Sequence, residues 1–316
     1  MYDKRNGLVT VFGGGGFIGR YVCEQLFKTG LRVRVAERHP RQAYFLQPLA
    51  AVGQLDRVPA DIRNRDSVAR AIDGAGAVIN LVGTLKGDFE ALQAEGAGIV
   101  AEEAKKAGAG ALVHISAIGA DPESPSRYGA SKGRGEAKVR AAYRAATIIR
   151  PSLVFGPEDR LTNRFATLMS RLPVYPVIAP STRFQPVYVR DLAKAIVAAA
   201  LDPKAHAGKT YEIAGPEVMT MRQLSERIAE IAGLSPTMVD MPDIAANGLS
   251  YLGFLPGAPL TRDQWLMLQK DNVAAKKSAG LSAFGIEPAP LAAEAPEWLA
   301  RFREGGRFAA RVKAAA

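Results

Sequence analysis

Between Val9 and Arg20 the chain reads VTVFGGGGFIGR, a β-branched and aromatic run followed by glycines at 13, 14, 15, 16 and 19 and then the start of an amphipathic pattern. A strand that turns this quickly into a helix needs glycine for steric reasons. Gly13 takes the tight backbone conformation, Gly16 lets an anion approach the main chain, and Gly19 lets the helix lie close on the strand. The amides of Phe17 and Ile18, at the head of that helix, then face anionic oxygens. Both GxxGxxG (Gly13, Gly16, Gly19) and GxGxxG (Gly14, Gly16, Gly19) fit the run. A helix carrying Val22, Leu26 and Phe27 follows, and Arg32 to Glu37 alternates like a second strand, so the context predicts a nucleotide-binding βα turn over a plain structural one.

Strand and helix signals continue to alternate as far as Arg150. The runs RVRVAE, QLDRVPA, AVINLVG, ALVHIS and TIIRPS read as strands, with helices over SVARAI, FEALQAEGAGIVAEEAKKA and YGASKGRGEAKVRAAY between them. Short apolar strands bounded by Gly, Asp and Pro are those of a parallel sheet covered on both faces, so the pattern is an α/β, doubly wound parallel sheet over residues 1–150. Beyond Arg150 the period is lost among prolines 151, 157, 173, 176, 180 and 186. Residues 151–316 read as a smaller C-terminal lobe for a substrate or partner, containing helix DLAKAIVAAAL, strand TYEIAG and helix MRQLSERIAEIAG. Thr220 and Gln223 have capping-box spacing ahead of the last of these. Further helices are expected over Thr261 to Lys270 and Glu297 to Phe302.

Composition narrows the setting of this fold. At 316 residues, 48% hydrophobic and 23% charged, the chain can bury a large core. Gly, Pro and charges interrupt every candidate for the roughly 20 apolar residues that a membrane span needs. Met1 to Asn6 lead almost directly into the first strand, which leaves no room for a signal peptide. Cys23 is the only cysteine, so a reducing compartment is expected and Cys23 reads as a small packing residue. The net charge of +10 suggests an anionic partner. Nucleic acid is disfavoured, because the basic residues are scattered and no recognition motif appears. The cationic end, Arg301, Arg303, Arg307, Arg311 and Lys313, suits an anionic lipid or membrane surface, or is simply solvated. Three histidines without an HExxH or Cys/His cluster give no metal site.

The chemistry-bearing residues sit at the ends of the strands. Glu37 would accept from a free ribose 2′-hydroxyl, whereas Arg38, backed by His39 and Arg41, would pair with a 2′-phosphate, and the positive local field favours NADPH over NADH. Asp61 either meets an adenine amino group, with Ile62 packing on the ring, or caps the next helix. Asn80, Val82 and Gly83 end the fourth strand, where a small residue lets a dinucleotide cross the sheet edge. Tyr128 and Lys132 form YxxxK, one helical turn apart on one face. A tyrosine moves protons near neutrality only when its pKa falls from about 10, and an ammonium beside it favours the phenolate. Ser116, at the end of the fifth strand, would orient the reacting oxygen, and His114 shares its face but reads as structural.

GGGGFIGR, Ser116, Tyr128-Gly-Ala-Ser-Lys132, Arg150-Pro-Ser-Leu-Val-Phe-Gly156 and Pro186-Val-Tyr-Val-Arg-Asp-Leu-Ala193 together resemble the extended and atypical short-chain dehydrogenase/reductases, over the first two-thirds of the chain. More narrowly, HISAIGADPESPSRYGASKGRGEAKVR and IIRPSLVFGPEDRLTNRFATLM are similar to the nucleotide-binding accessory subunits of respiratory complex I and their bacterial relatives. The resemblance implies a Rossmann-type fold and a tightly held, mainly structural NADPH near the junction of the two arms of the complex. It implies other complex I subunits as partners, and a peripheral location on the cytoplasmic side of the bacterial inner membrane. By the same similarity Gly13, Gly16, Gly19, Arg38, Asp61, Tyr128 and Lys132 become cofactor contacts, and the stretch from Pro151 through Val154 to Gly156 closes over the nicotinamide.

Two readings follow. One is the accessory subunit, in which Tyr128 and Lys132 hold the nicotinamide ribose without turnover. The other is an NAD(P)-dependent reductase, epimerase or dehydratase, with a link to quinone biosynthesis as a variant, in which Ser116, Tyr128 and Lys132 are catalytic. Ala117 after Ser116, where many active members carry a second hydroxyl, weakens the second.

Overall fold

A computed structural model describes residues 7–255, 258–303 and 306. The opening segment Met1 to Asn6 and the cationic Arg307, Arg311 and Lys313 lie outside the described residues. The chain divides into two compact units, each assembled from three stretches: 1–151, 189–213 and 275–287 form the first, and 152–188, 214–274 and 288–316 the second.

The first unit is built on strands β1 (Leu8–Phe12), β2 (Arg32–Glu37), β3 (Leu55–Pro59), β4 (Ala77–Asn80), β5 (Ala111–Ile115) and β6 (Thr147–Pro151), with helices α1 (Phe17–Lys28), α2 (Arg65–Ile72), α3 (Gly96–Lys106) and α4 (Arg127–Ala142). A seventh strand, Thr210–Ile213, comes from beyond residue 151 and pairs parallel with β6. The sheet order is therefore Thr210–Ile213, β6, β5, β4, β1, β2, β3. It is a doubly wound parallel sheet, as the alternation predicts. One face packs Phe12, Val78 and Leu112 with Ile72, Val100 and Val139 of the helices above. Against the other lie α1 and the helix Val189–Leu201, whose Leu192 and Ile196 have no exposed surface. Strands buried on both faces carry continuous apolar runs, which is why every residue of β1, β4 and β5 is buried.

Two local features differ from the sequence reading. The connection after β2 coils into a ten-residue 3-10 segment, Pro40–Leu49. The helix read across residues 89–107 as one piece instead opens with a wider π turn, Glu90–Glu95, before α3 begins. Close backbone packing accompanies that turn. A β-carbon on Gly135 of α4 would stand 2.1 Å from the Gln93 carbonyl oxygen, so α4 is seated against the widened turn itself.

Among its described residues the second unit has three two-stranded pairs: Val154–Phe155 with Val187–Tyr188, Arg183–Phe184 with Met219–Thr220, and Val174–Val177 with Thr237–Asp240. Its core joins Met169, Tyr175, Phe184, Met221 and Ala229. The helix Met221–Ala232 carries the capping box expected from Thr220 and Gln223, and Thr261 with Gln264 makes a second one ahead of the helix Arg262–Leu268. The remaining helical expectation is met by Pro296–Leu299 and a 3-10 turn over Ala300–Phe302. Among the described residues no helix is long and apolar enough to cross a membrane, and no group of three or more acidic, His or Cys side chains is arranged to hold a metal.

Candidate functional site

The strand order changes direction at β1, which lies between β4 and β2. At such a switch point the connections leave on opposite faces, and their carboxyl ends part into a crevice. The glycine turn stands there. Gly13 has φ +80°, a conformation a side chain resists, and its carbonyl accepts from the Gly16 amide at 3.1 Å. A β-carbon on Gly19 would lie 2.2 Å from the Gly13 oxygen and 2.6 Å from backbone atoms of Gly14, so only glycine allows α1 to rest on the turn. Gly16 is the N-cap of α1, no side chain caps it, and the first turn carries no acidic residue. The opening amides of Phe17 and Ile18 therefore head a helix whose own first turn holds no carboxylate, the arrangement a diphosphate fits.

At the end of β2 the two adjacent side chains with conflicting ribose signals are engaged differently. The Glu37 carboxylate turns back into the glycine turn and accepts from the Gly15 amide at 2.6 Å. Burial raises its pKa, while the Gly15 hydrogen bond and the charges of Arg38 and His39 oppose the shift. Arg38 is exposed and has no ion pair among the described residues. Cys23, fully buried beneath the turn, has its thiol pushed up by burial and acts as packing.

Asp61, after β3, does not cap α2. That role falls to Asn64, which accepts from the Ser67 amide. Asp61 instead binds Arg63, whose guanidinium lies 2.6 Å away and holds the carboxyl below its usual range. Ile62 is 4% exposed and packs into the core against Gly96, under the α3 end of the π turn. After β4, the Asn80 side chain accepts from the Val82 amide at 3.1 Å, and its amide lies 3.4 Å from His114 Nδ1. Gly83 is exposed, and a β-carbon there would touch Lys132 Nζ at 3.4 Å, which brings this loop to the YxxxK pair.

Ser126 caps α4 by accepting from the Gly129 amide, a contact worth about 1 kcal/mol, and so fixes where the helix presents Tyr128 and Lys132. Tyr128 is half-buried, edge-on to Phe89 with ring centroids 6.3 Å apart. Lys132 is 3% exposed and donates from Nζ to the Ile115 carbonyl at 2.9 Å. The electrostatics depart from the expected phenolate. Burial pushes Tyr128 up to about 12 and depresses Lys132 to about 8, with Glu136 opposing that shift. The lysine commits one of its three donors to β5, and the tyrosine stays protonated at neutral pH.

Ser116 and His114 flank that carbonyl on β5. The Ser116 hydroxyl and His114 Nε2 are both buried without a hydrogen-bond partner among the described residues. Burial, reinforced by the charge of Lys132, holds His114 down to about 3, so it is a neutral imidazole. Unsatisfied polar groups in a close-packed interior are uncommon and mark a place where a further group belongs.

The first unit thus brings the glycine turn, the Arg38 end of β2, the Val82–Gly83 loop and the Ser116, Tyr128, Lys132 set to the carboxyl edge of one sheet. Pro151 belongs to it too, accepting from the Ile118 amide at 3.1 Å. Val154 lies in the second unit, paired with Val187. Sequence reasoning did not find Gln93. Fully buried on the π turn, it donates to Ser131 Oγ at 3.0 Å and accepts from the Thr84 amide at 3.4 Å, linking the loop after β4 to α4. A lone glutamine in a helical pattern gives no signal of that kind.

The reversal at β1 and the turn beside it make this a Rossmann-type α/β protein. Residues 9–214 match the model of the NAD dependent epimerase/dehydratase family, and the chain belongs to that family. It is 34% identical over 305 residues to NADH dehydrogenase (ubiquinone) 1 alpha subcomplex subunit 9, mitochondrial, of Mus musculus, covering 94% of this chain and 80% of the mouse protein. A ceramide reductase of Caulobacter vibrioides is 30% identical over 247 residues, covering 77% and 76% of the two chains. The crystal structure of gox2253 aligns with a TM-score of 0.73 at 21% identity, over 95% of this chain and 99% of that one, a likeness of fold.

Proposed function

We propose that this protein is an NADPH-binding accessory subunit of respiratory complex I, peripheral on the cytoplasmic side of a bacterial inner membrane, with a cofactor held mainly for structure. The observation that carries the reading is 34% identity to a complex I subunit across 94% of the chain. The site supports a holding role. Lys132 is tied to a backbone carbonyl, Tyr128 is protonated with its pKa near 12, and together they can donate to a ribose without moving a proton. The glycine turn supplies amides for the diphosphate. The orphaned Ser116 hydroxyl gives the nicotinamide end a hydrogen-bonding group. The cofactor, when bound, supplies a hydride-carrying ring that this arrangement positions.

NADPH is favoured over NADH because Glu37 is occupied by the Gly15 amide, which leaves Arg38 as the group available at the end of β2. Arg38→Ala is expected to weaken NADPH binding roughly tenfold to a hundredfold, the worth of a charge-assisted bidentate contact, with NADH changed less than threefold. Calorimetry with both nucleotides checks this, and equal losses for the two would remove the 2′-phosphate assignment.

The partners in this reading are other complex I subunits, with an anionic lipid surface as a further contact of the cationic end. Of that segment, Arg301 binds Asn163 and Arg303 binds the Ile231 carbonyl within the second unit. The test is native electrophoresis of gently solubilised membranes, followed by native mass spectrometry. The chain is expected to migrate with NADH:quinone oxidoreductase activity and to release one NADPH on denaturation. Migration apart from that activity under all mild conditions would sink the proposal.

The reductase reading has one specific support, the 30% identity to a ceramide reductase. It requires Tyr128 to exchange a proton. Tyr128→Phe should then abolish turnover of an identified substrate, whereas in the accessory role it leaves assembly intact and loosens the dinucleotide only severalfold.

A further inference from the structure

From Ile244 to Thr261 the second unit carries 18 residues without a single charge, IAANGLSYLGFLPGAPLT, in a chain that is 23% charged. The helix Asp243–Ser250 seats one face, through Ala246, in a small core with Leu260 and Trp265. Its other face is bare. Ile244 is 88% exposed, and the turn that follows exposes Tyr251 at 61%, Phe254 at 80%, Leu252 at 49% and Leu255 at 48%. Side chains this free of their own fold need an environment that removes them from water.

We propose that this apolar tip inserts into the interfacial zone of a phospholipid bilayer. Three observations select lipid over a protein groove. A protein partner captures aromatic anchors in shaped pockets of a flat interface, whereas fluid acyl chains accept side chains that stand clear on all sides. The tip combines Tyr and Phe with Leu, Ile, Gly and Pro and no charge, the composition that rests at the headgroup boundary. Its base carries the matching polar layer. Arg262 lies over the Tyr251 ring at 4.7 Å and donates to the Asn247 side chain, and Arg164 reaches the Pro259 carbonyl at 3.3 Å. Both guanidiniums thus contact the apolar segment, where an inserted tip would let them meet lipid phosphates. Asp243 and Asp263 adjoin the uncharged segment in the sequence, so its flanks are balanced in sign and complement a zwitterionic headgroup. Binding is therefore driven by apolar burial and is little affected by salt. That separates it from attraction of the cationic end to anionic lipid, and it is independent of the dinucleotide and of assembly into a larger complex.

The test uses the full chain with vesicles of pure phosphatidylcholine at low and at 0.5 M salt. Wild type is expected to sediment with the vesicles to a similar extent at both. Phe254→Asp and Leu255→Asp, at surface positions that leave the melting temperature unchanged, are expected to lose at least roughly tenfold in partitioning. A polarity-sensitive dye on Phe254→Cys, with the buried Cys23 unreactive, should shift to the blue on vesicle addition. Three results would each overturn the proposal: no sedimentation with phosphatidylcholine, sedimentation that both aspartate variants retain, or an unshifted dye on vesicle-bound protein. Binding confined to anionic vesicles and abolished by salt overturns it in favour of the cationic end.

Discussion

Gly19→Ala is expected to abolish measurable dinucleotide binding and to lower stability by about 1–3 kcal/mol. The added carbon would meet the Gly13 oxygen at 2.2 Å and Gly14 backbone atoms at 2.6 Å. Backbone lines the contact on that side, so no flexible side chain can yield, and relief requires α1 to lift from β1. Lifting it displaces the amides of Phe17 and Ile18 from the phosphate position, which couples a packing defect to a binding defect. Gly30→Ala is the control. Gly30 has φ +78° and nothing within 4 Å of a built β-carbon, so the change costs about 1 kcal/mol through backbone strain alone and leaves binding untouched. Thermal melts and NADPH calorimetry on both variants separate these effects. Wild-type affinity in Gly19→Ala would show that the turn does not grip a diphosphate.

The second large effect is a pH dependence carried by Lys132. Burial lowers its pKa from the ordinary 10.5 to about 8, with Glu136 pulling the other way. Between those values the unfolded chain binds the proton and the folded one does not, so stability rises with pH across the window, by about 3 kcal/mol in total. Below pH 8 both states are protonated and the full burial cost is felt. Chemical denaturation of the cofactor-free protein should therefore show wild type gaining about 3 kcal/mol on Lys132→Met between pH 7.5 and 10.5. Taking the difference between the two proteins cancels the other titrating groups. A flat difference would mean that Lys132 is solvated in solution and is not committed to the Ile115 carbonyl.

That lysine also shows where reading the chain reached its limit. YxxxK places Tyr128 and Lys132 on one helical face, a matter of local geometry visible in four residues of spacing. Whether the ammonium lowers the tyrosine depends on what else the ammonium meets, and that is set by β5, 17 residues back along the chain and beyond any helical spacing. The structure gives Nζ to a carbonyl and leaves burial to raise Tyr128. Glu37 is similar. Two adjacent residues offered opposite ribose preferences in the sequence, and only the fold shows that the Glu37 carboxylate accepts from the Gly15 amide. The cap of α2 went to Asn64 and not to Asp61, because three residues of offset decide which side chain meets the first free amides.

The sequence by itself determined the alternation of strand and helix, the parallel sheet and the glycine turn, because these rest on periodicity and on steric demands acting within a dozen residues. Tertiary structure alone decided that Thr210–Ile213 joins the sheet beside β6, that a π turn carrying Gln93 buttresses α4, and that the Ser116 hydroxyl and His114 Nε2 are buried without a partner among the described residues. Each of those depends on which surfaces meet at long range, and pairing partners, burial and local dielectric exist only once the chain has closed on itself.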